Sequence, residues 1–109
     1  MEISFKDDAL RRLCTEERVM LRKLGRPGAK KLRARLKDLK AFENMAEVCY
    51  GRPHRLKGDL KDCIGLDLDG GRRLVLQAAH DSVPRHDDSS INWRLVTQVC
   101  VISIGNYHD

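Results

Sequence analysis

Apolar and polar residues alternate at the start of the chain. Ile3 and Phe5 stand between Glu2, Ser4 and Lys6, the two-residue period of a short strand. Asp7 and Asp8 then offer an N-cap and an acidic first turn for a helix. Leu10, Leu13, Cys14, Leu21 and Leu24 keep helical spacing until Gly25 closes the run. Pro27 suits the first turn of a second helix, along which Ala29, Leu32, Leu36, Leu39, Phe42, Ala46 and Cys49 form one apolar stripe. Only Gly25 to Gly28 separates the two, so an antiparallel helical hairpin is expected.

The period changes after Gly51. Cys63, Ile64, Leu66 and Leu68 make a short apolar run that ends at Asp69-Gly70-Gly71, a strong hairpin signal. Leu74, Val75, Leu76, Ala78 and Ala79 supply the partner strand. His80 to Ser90 is polar, contains Pro84 and lacks an apolar period, which predicts a mobile loop. Trp93 to Ile104 is rich in β-branched residues and reads as a long final strand, a candidate for the sheet's centre. The order βααβββ predicts an α+β fold over residues 1–109, one domain with a helical hairpin packed on a mostly antiparallel four-stranded sheet.

Composition narrows this picture without changing it. A chain of 109 residues holds one core, and with 5% aromatic residues that core must be built from Leu, Val, Ile and Ala. No apolar stretch approaches the roughly 18 residues of a membrane span. The first eight residues carry acidic groups and no apolar run, unlike a signal peptide, so a cytoplasmic protein without membrane contact is expected. Cys14, Cys49, Cys63 and Cys100 stand singly and read as small buried hydrophobes rather than disulfides. Neither Cys-x-x-Cys nor His-x-x-x-His occurs, so no metal or other cofactor is expected.

Charge adds a direction. The net charge is +5, and Arg22, Lys23, Arg26, Lys30, Lys31, Arg33, Arg35, Lys37 and Lys40 crowd one stretch against only Asp38. On a helix these cations lie outside the Leu32, Leu36 and Leu39 stripe, where they make a solvated face. The same face suits phosphate backbones or an acidic protein partner. Asp81, Asp87, Asp88 and Asp109 oppose Arg85 and Arg94 in the last quarter, so the molecule is polarised.

Reactive side chains concentrate in two segments. Gly51-Arg52-Pro53-His54-Arg55-Leu56-Lys57-Gly58-Asp59 combines two glycines, a histidine and three cations in an irregular stretch suited to close approach by a phosphate. The other is Asn106-Tyr107-His108-Asp109, directly after the last strand, while Arg73 follows the Gly70-Gly71 turn. Taken singly, His54 is an ordinary surface histidine, Arg73 a salt-bridge residue and the terminal Tyr-His a frayed end. Their joint occurrence carries the signal.

Together with the Ile3-Ser4-Phe5 strand, the His54-x-Leu56-Lys57-Gly58-Asp59 motif, the Leu66-Asp67-Leu68 and Arg72-Arg73-Leu74 hairpin and the Asn106-Tyr107-His108 ending, the chain resembles toxins of the HigB type in the RelE superfamily. The likeness spans essentially the whole chain. It implies a fold like microbial ribonucleases and a type II toxin that cleaves mRNA in the ribosomal A site until an antitoxin neutralises it. The implied partners are the ribosome, mRNA and a helix-turn-helix antitoxin of the HigA type, with DNA met only through that antitoxin.

Metal-free RNA cleavage needs a base for the 2′-hydroxyl, cations for the phosphorane and an acid for the departing 5′-oxygen. The resemblance implies a catalytic set of His54, Lys57, Arg73, Asn106, Tyr107 and His108, with His54 and His108 as an acid–base pair in either order. Lys57 and Arg73 would stabilise the phosphorane, and Tyr107 would stack on a base or donate a proton. Arg26, Lys30, Arg52, Arg55, Lys57 and Arg73 form the expected RNA-binding set. The family commonly carries an acidic residue where this chain has Asn106, which neither bears the charge nor transfers the proton. Asp109 is close in sequence and could substitute. That departure keeps open a second reading, a non-catalytic module that contacts RNA or its antitoxin. A DNA-binding regulator fits poorly, because no helix-turn-helix pattern is visible.

Overall fold

Alternation at the N-terminus produces strand β1, Glu2–Phe5, with Ile3 and Phe5 packed against the core. The structure is a computed structural model that describes residues 1–106. Asp7 caps helix α1, Asp8–Thr15, its carboxylate accepting the Leu10 N–H at 2.8 Å. Glu16 leaves the helical conformation (φ −108°, ψ 111°), and helix α2, Glu17–Ala41, starts at the next residue. This break corrects the expectation of one uninterrupted helix to Gly25. A non-helical residue re-phases the stripe, so Val19, Met20 and Leu24 are buried while Leu21 is exposed.

Inside α2, Gly25 adopts φ 73° and ψ 178°, a conformation that only glycine reaches without strain. Glu17 and Arg33, equally distant in sequence from Gly25, form an ion pair at 3.2 Å. In a straight helix they would lie about 24 Å apart. The chain therefore folds back at Gly25, and the expected antiparallel hairpin is present. Its second arm buries Ala29, Leu32 and Leu39. It stops at Ala41 rather than running to Cys49: Met45–Glu47 forms a 3₁₀ turn capped by Asn44, and Ala46 and Cys49 are exposed.

Four further strands complete the sheet: β2 (His54–Arg55), β3 (Cys63–Asp67), β4 (Arg72–Ala78) and β5 (Gln98–Asn106). The order is β1-β5-β4-β3-β2, with β1 parallel to β5 and every other pair antiparallel. The α+β class and mostly antiparallel pairing are as expected, but among the described residues the sheet has five strands, not four. The extra one is the two-residue β2, too short to show a period. The last strand begins at Gln98 because Trp93–Leu95 forms a 3₁₀ turn, and β4 rather than β5 is central. Val75 faces Ser103 while Leu76 faces Val101, so Ile102 is an extra, bulged residue. The bulge lets Val99, Val101 and Ile104 all meet the core despite their uneven spacing.

Both helices cover one face, where Leu32, Leu39, Leu66, Leu74, Leu76, Val96, Val99 and Val101 form the main core. A smaller cluster of Leu56, Cys63 and Val75, flanked by Leu60 and Ile102, lies apart from it on the other face. The segment expected to be a mobile loop is held in a fixed shape. Arg85 bridges Ile91, the His86 N–H donates to Ser90 at 2.8 Å, and the Asn92 N–H donates to Pro84 at 2.9 Å. Among the described residues, no helix is long and apolar enough to cross a membrane.

Cys14 and Cys63 are buried as expected, Cys100 is half-buried and Cys49 is exposed. Burial pushes the Cys14 thiol up to about 12, and burial followed by the charge of Asp62 pushes Cys63 up. Iodoacetamide at pH 8 should therefore alkylate Cys49 first, and reach Cys14 and Cys63 only after denaturation. Peptide mapping by mass spectrometry reads this order. Equal rates at Cys14 and Cys49 would contradict the helical packing.

Candidate active site

The face away from the helices brings together two of the sequence-selected residues, His54 and Arg73. Residues paired across neighbouring strands share a face, and the register makes His54, Gly65, Val75 and Ser103 one continuous row. Asp67, Arg73 and Gly105 form the next row on the same face, two residues along. His54 and Arg73 are thus diagonal neighbours with backbones roughly 12 Å apart, a gap that an arginine side chain narrows.

Gly65 makes the room for His54. A Cβ there would stand 3.3 Å from Cε1 and Nε2 of the ring and 3.3 Å from Cδ2 of Leu56, so the imidazole occupies the space a side chain would take. His54 Nδ1 lies 2.8 Å from the Arg52 carbonyl oxygen. A carbonyl only accepts, so Nδ1 carries the proton and, in the neutral ring, Nε2 presents its lone pair. That Nε2 is buried and has no hydrogen-bond partner among the described residues. The ring thus has a fixed tautomer, and its remaining nitrogen is an unpartnered acceptor covered in this conformation beside Gly65.

The loop before β2 is set by two left-handed residues, Gly51 (φ 78°) and Arg52 (φ 46°). The Asp67 N–H donates to the Gly51 carbonyl at 2.6 Å, which clamps the loop along β3. Arg35 of α2 packs beneath it, where a Cβ at Gly51 would be 3.0 Å from the arginine Cδ, and Arg35 is itself paired with Asp38 at 3.1 Å. The Asp67 carboxylate lies between two guanidinium groups, with Arg52 Nε at 2.5 Å and Arg73 Nε at 3.7 Å. Its hydrogen bond, and then its charge, raise the Arg52 pKa and hold that group cationic. Arg52 is largely exposed while Arg73 is mostly covered.

Other expected members are placed differently. Lys57 is exposed beyond β2, three residues after His54 or about 10 Å along extended chain. Arg55 is exposed at the sheet edge. Arg26 and Lys30 belong to the helical layer, so the sheet separates them from His54. The Arg72 guanidinium reaches over to donate to the Leu24 carbonyl at 3.1 Å. Asn106 pairs with Arg72, not Arg73, so strand alternation sets it apart from the His54 and Arg73 group. Tyr107 and His108 lie outside the described residues.

Two contributors were missed in the sequence. Asp67 could have been found as the single acid in the otherwise apolar Leu66-Asp67-Leu68 run, and Gly65 as a lone glycine inside a strand pattern.

Neither a protein-family model nor a curated protein matches the chain. Among solved structures it is similar to a YoeB/ParE toxin from Agrobacterium tumefaciens, with a TM-score of 0.55 and 15% identity over 99% of this chain and 100% of the other. It is also similar to a chain of the YoeB-YefM complex from Staphylococcus aureus, with a TM-score of 0.57 and 18% identity over 99% and 98%. A heterotetrameric YoeB-YefM toxin-antitoxin complex from the same organism gives 0.54 and 17% over 100% and 98%. The fold is that of the YoeB/ParE toxins. The resemblance read from the sequence, to the HigB type, is met in fold by YoeB-type structures, and none of these three is described as a HigB.

Proposed function

We propose that the protein is the toxin of a type II toxin-antitoxin pair and that it cleaves mRNA on the ribosome without a metal. The observation that carries this reading is the buried Nε2 of His54, unpartnered among the described residues and seated over Gly65 on the face that also holds Arg73. In this reading the 2′-oxygen bonds to the adjacent phosphorus, the P–O5′ bond breaks, and the products are a cyclic phosphate and a 5′-hydroxyl. A histidine takes the 2′-hydroxyl proton and an acid returns one to the 5′-oxygen, His54 and His108 sharing these roles in either order. Arg73 and Lys57 stabilise the phosphorane, and Tyr107 stacks on a base or donates a proton. Arg52 and Arg55 hold neighbouring phosphates, while Arg26 and Lys30 serve the ribosome from the helical face.

The partner is an antitoxin. The YoeB relatives are found with YefM, whereas the HigB-like motif favours a helix-turn-helix antitoxin of the HigA type that would carry the DNA contact. A second reading, a non-catalytic RNA- and antitoxin-binding module, is favoured by the pairing of Asn106 with Arg72 and by its lack of a carboxylate.

Induction of the protein should arrest growth, and the purified protein should cut ribosome-bound mRNA. His54→Ala should slow cutting by about 10²-fold or more, the usual contribution of an acid–base group. Ribosome binding with intact mRNA would favour the second reading. Undiminished cutting by His54→Ala would remove His54 from the mechanism.

A further inference from the structure

We propose that the loop after β4 forms a second phosphate-binding subsite, which holds the nucleotide next to the cleaved linkage of the same RNA strand. This rests on the reading of the His54 face as a ribonuclease site, and it gives a role to the residue 80–90 segment. A cleft of about 410 Å³ lies between the β2–β3 edge and this loop, and Arg55, Lys61 and Arg85 all line it. Three cations thus converge from three separate segments of chain.

The two carboxylates in the cleft are already engaged. Asp62 lies 3.7 Å from Arg85. Asp88 accepts from both the hydroxyl and the N–H of Ser90, and those bonds lower its pKa. Arg55 and Lys61 have no ion-pair partner among the described residues, and with Asp62 and Asp88 counted against Arg55, Lys61 and Arg85 the lining keeps a net charge of +1. An anion entering the cleft gains that charge without displacing a carboxylate.

The cleft is also preformed. Arg85 donates to the Ser89 carbonyl at 2.6 Å, Ser89 holds φ 74°, and the Arg85–Ile91 bridge closes the turn. A built loop pays little ordering cost when a ligand binds.

Continuity with His54 selects the occupant. Leu56 and Cys63 also line this cleft, and both belong to the small apolar cluster on the His54 face. Leu56 Cδ2 and the His54 ring both lie 3.3 Å from the place a Gly65 Cβ would take, so the two side chains are neighbours. A path therefore runs from the imidazole over Leu56 and Cys63 to Lys61 and Arg85, apolar beside His54 and cationic beyond. That sequence suits a base followed by a phosphate, the repeat of a single RNA strand.

Equilibrium binding of fluorescent 2′-O-methyl RNAs, which cannot be cut, tests this on the full chain. Wild-type protein should bind a hexanucleotide about tenfold more tightly than a dinucleotide. Lys61→Glu, at an exposed position with no ion-pair partner among the described residues, and Arg85→Ala should each remove most of that gain and leave dinucleotide affinity unchanged. The salt dependence of hexanucleotide binding should also fall by about 0.7 in log–log slope per lost phosphate contact. Hexanucleotide binding that needs Arg73 but is indifferent to Lys61→Glu would overturn the subsite alone. Unchanged RNA affinity with weakened binding of a poly-glutamate peptide would overturn it in favour of a protein contact. Failure of the wild type to bind either RNA would overturn the subsite, while the ribonuclease reading falls only if ribosome-bound mRNA also stays intact.

Discussion

Gly65→Val should reduce mRNA cleavage at least about 10²-fold, as much as loss of the His54 imidazole itself, while leaving the fold standing. The reason is a contest over one small volume. A Cβ at position 65 would already lie 3.3 Å from two atoms of the His54 ring and from Leu56 Cδ2, and valine adds two methyl groups beyond it. One side must give way. Gly65 sits in β3, paired with β2 on one side and β4 on the other, whereas His54 belongs to a two-residue edge strand. The edge moves more cheaply than the interior, so the ring leaves its seat and loses the contact that fixes its tautomer. Gly65→Ala, whose single methyl needs only a few tenths of an ångström, should cost several-fold at most. Cleavage of ribosome-bound mRNA, measured beside thermal melting, separates the cases. A Gly65→Val protein that melts and cuts like wild type would show that the seat of His54 is irrelevant to activity.

How much of this was visible in the sequence depended on the range of the interaction concerned. Local signals were reliable: the Asp7 cap, the Gly25 reversal and the Asp69-Gly70-Gly71 turn each act within a few residues, and each appears where expected. The break at Glu16 was not legible, because no glycine or proline marks it and the apolar residues on both sides fit one helical period tolerably well. Strand β2 was missed because two residues cannot display a period, yet it carries His54. The His54 loop and Arg73 were found as chemistry-bearing types, but Gly65 and Asp67 act through what lies across the sheet. A vacancy beneath a ring and a carboxylate between two guanidinium groups exist only once the strands are in register. Asn106 shows the same dependence on register: it pairs with Arg72 while Gly105 pairs with Arg73, which no count along the chain would tell.

Stability should respond most sharply at Gly28, where the helical turn meets the β3–β4 turn. Gly28→Ala is expected to destabilise the protein by about 1–3 kcal/mol, the usual range for an overpacked interior position. An added Cβ would stand 2.8 Å from Leu24 Cβ and 2.9 Å from Asp69 Oδ1, closer than such atoms approach. The two clashes are not equivalent. Asp69 can swing its carboxylate away, at the cost of its 3.6 Å approach to Arg72. Leu24 cannot, because its Cβ is fixed to the backbone just before the Gly25 reversal, and its carbonyl accepts from Arg72 at 3.1 Å. Relief therefore requires the two arms of α2 to shift against each other, and with them the buried contacts of Leu24, Ala29 and Leu32. For a chain of this size each kcal/mol lowers the melting temperature by about 4–8 °C. Gly70→Ala is the matched comparison, since nothing lies within 4 Å of that Cβ and only its φ of 55° resists the change. Melting at the wild-type temperature by Gly28→Ala, or a larger loss at Gly70 than at Gly28, would show that the helical turn does not dock on the sheet at Gly28. If the docking holds, Arg73 should feel the same substitution, because it follows Arg72 directly in β4 and the strand that loses its tie to Leu24 is the one that carries it.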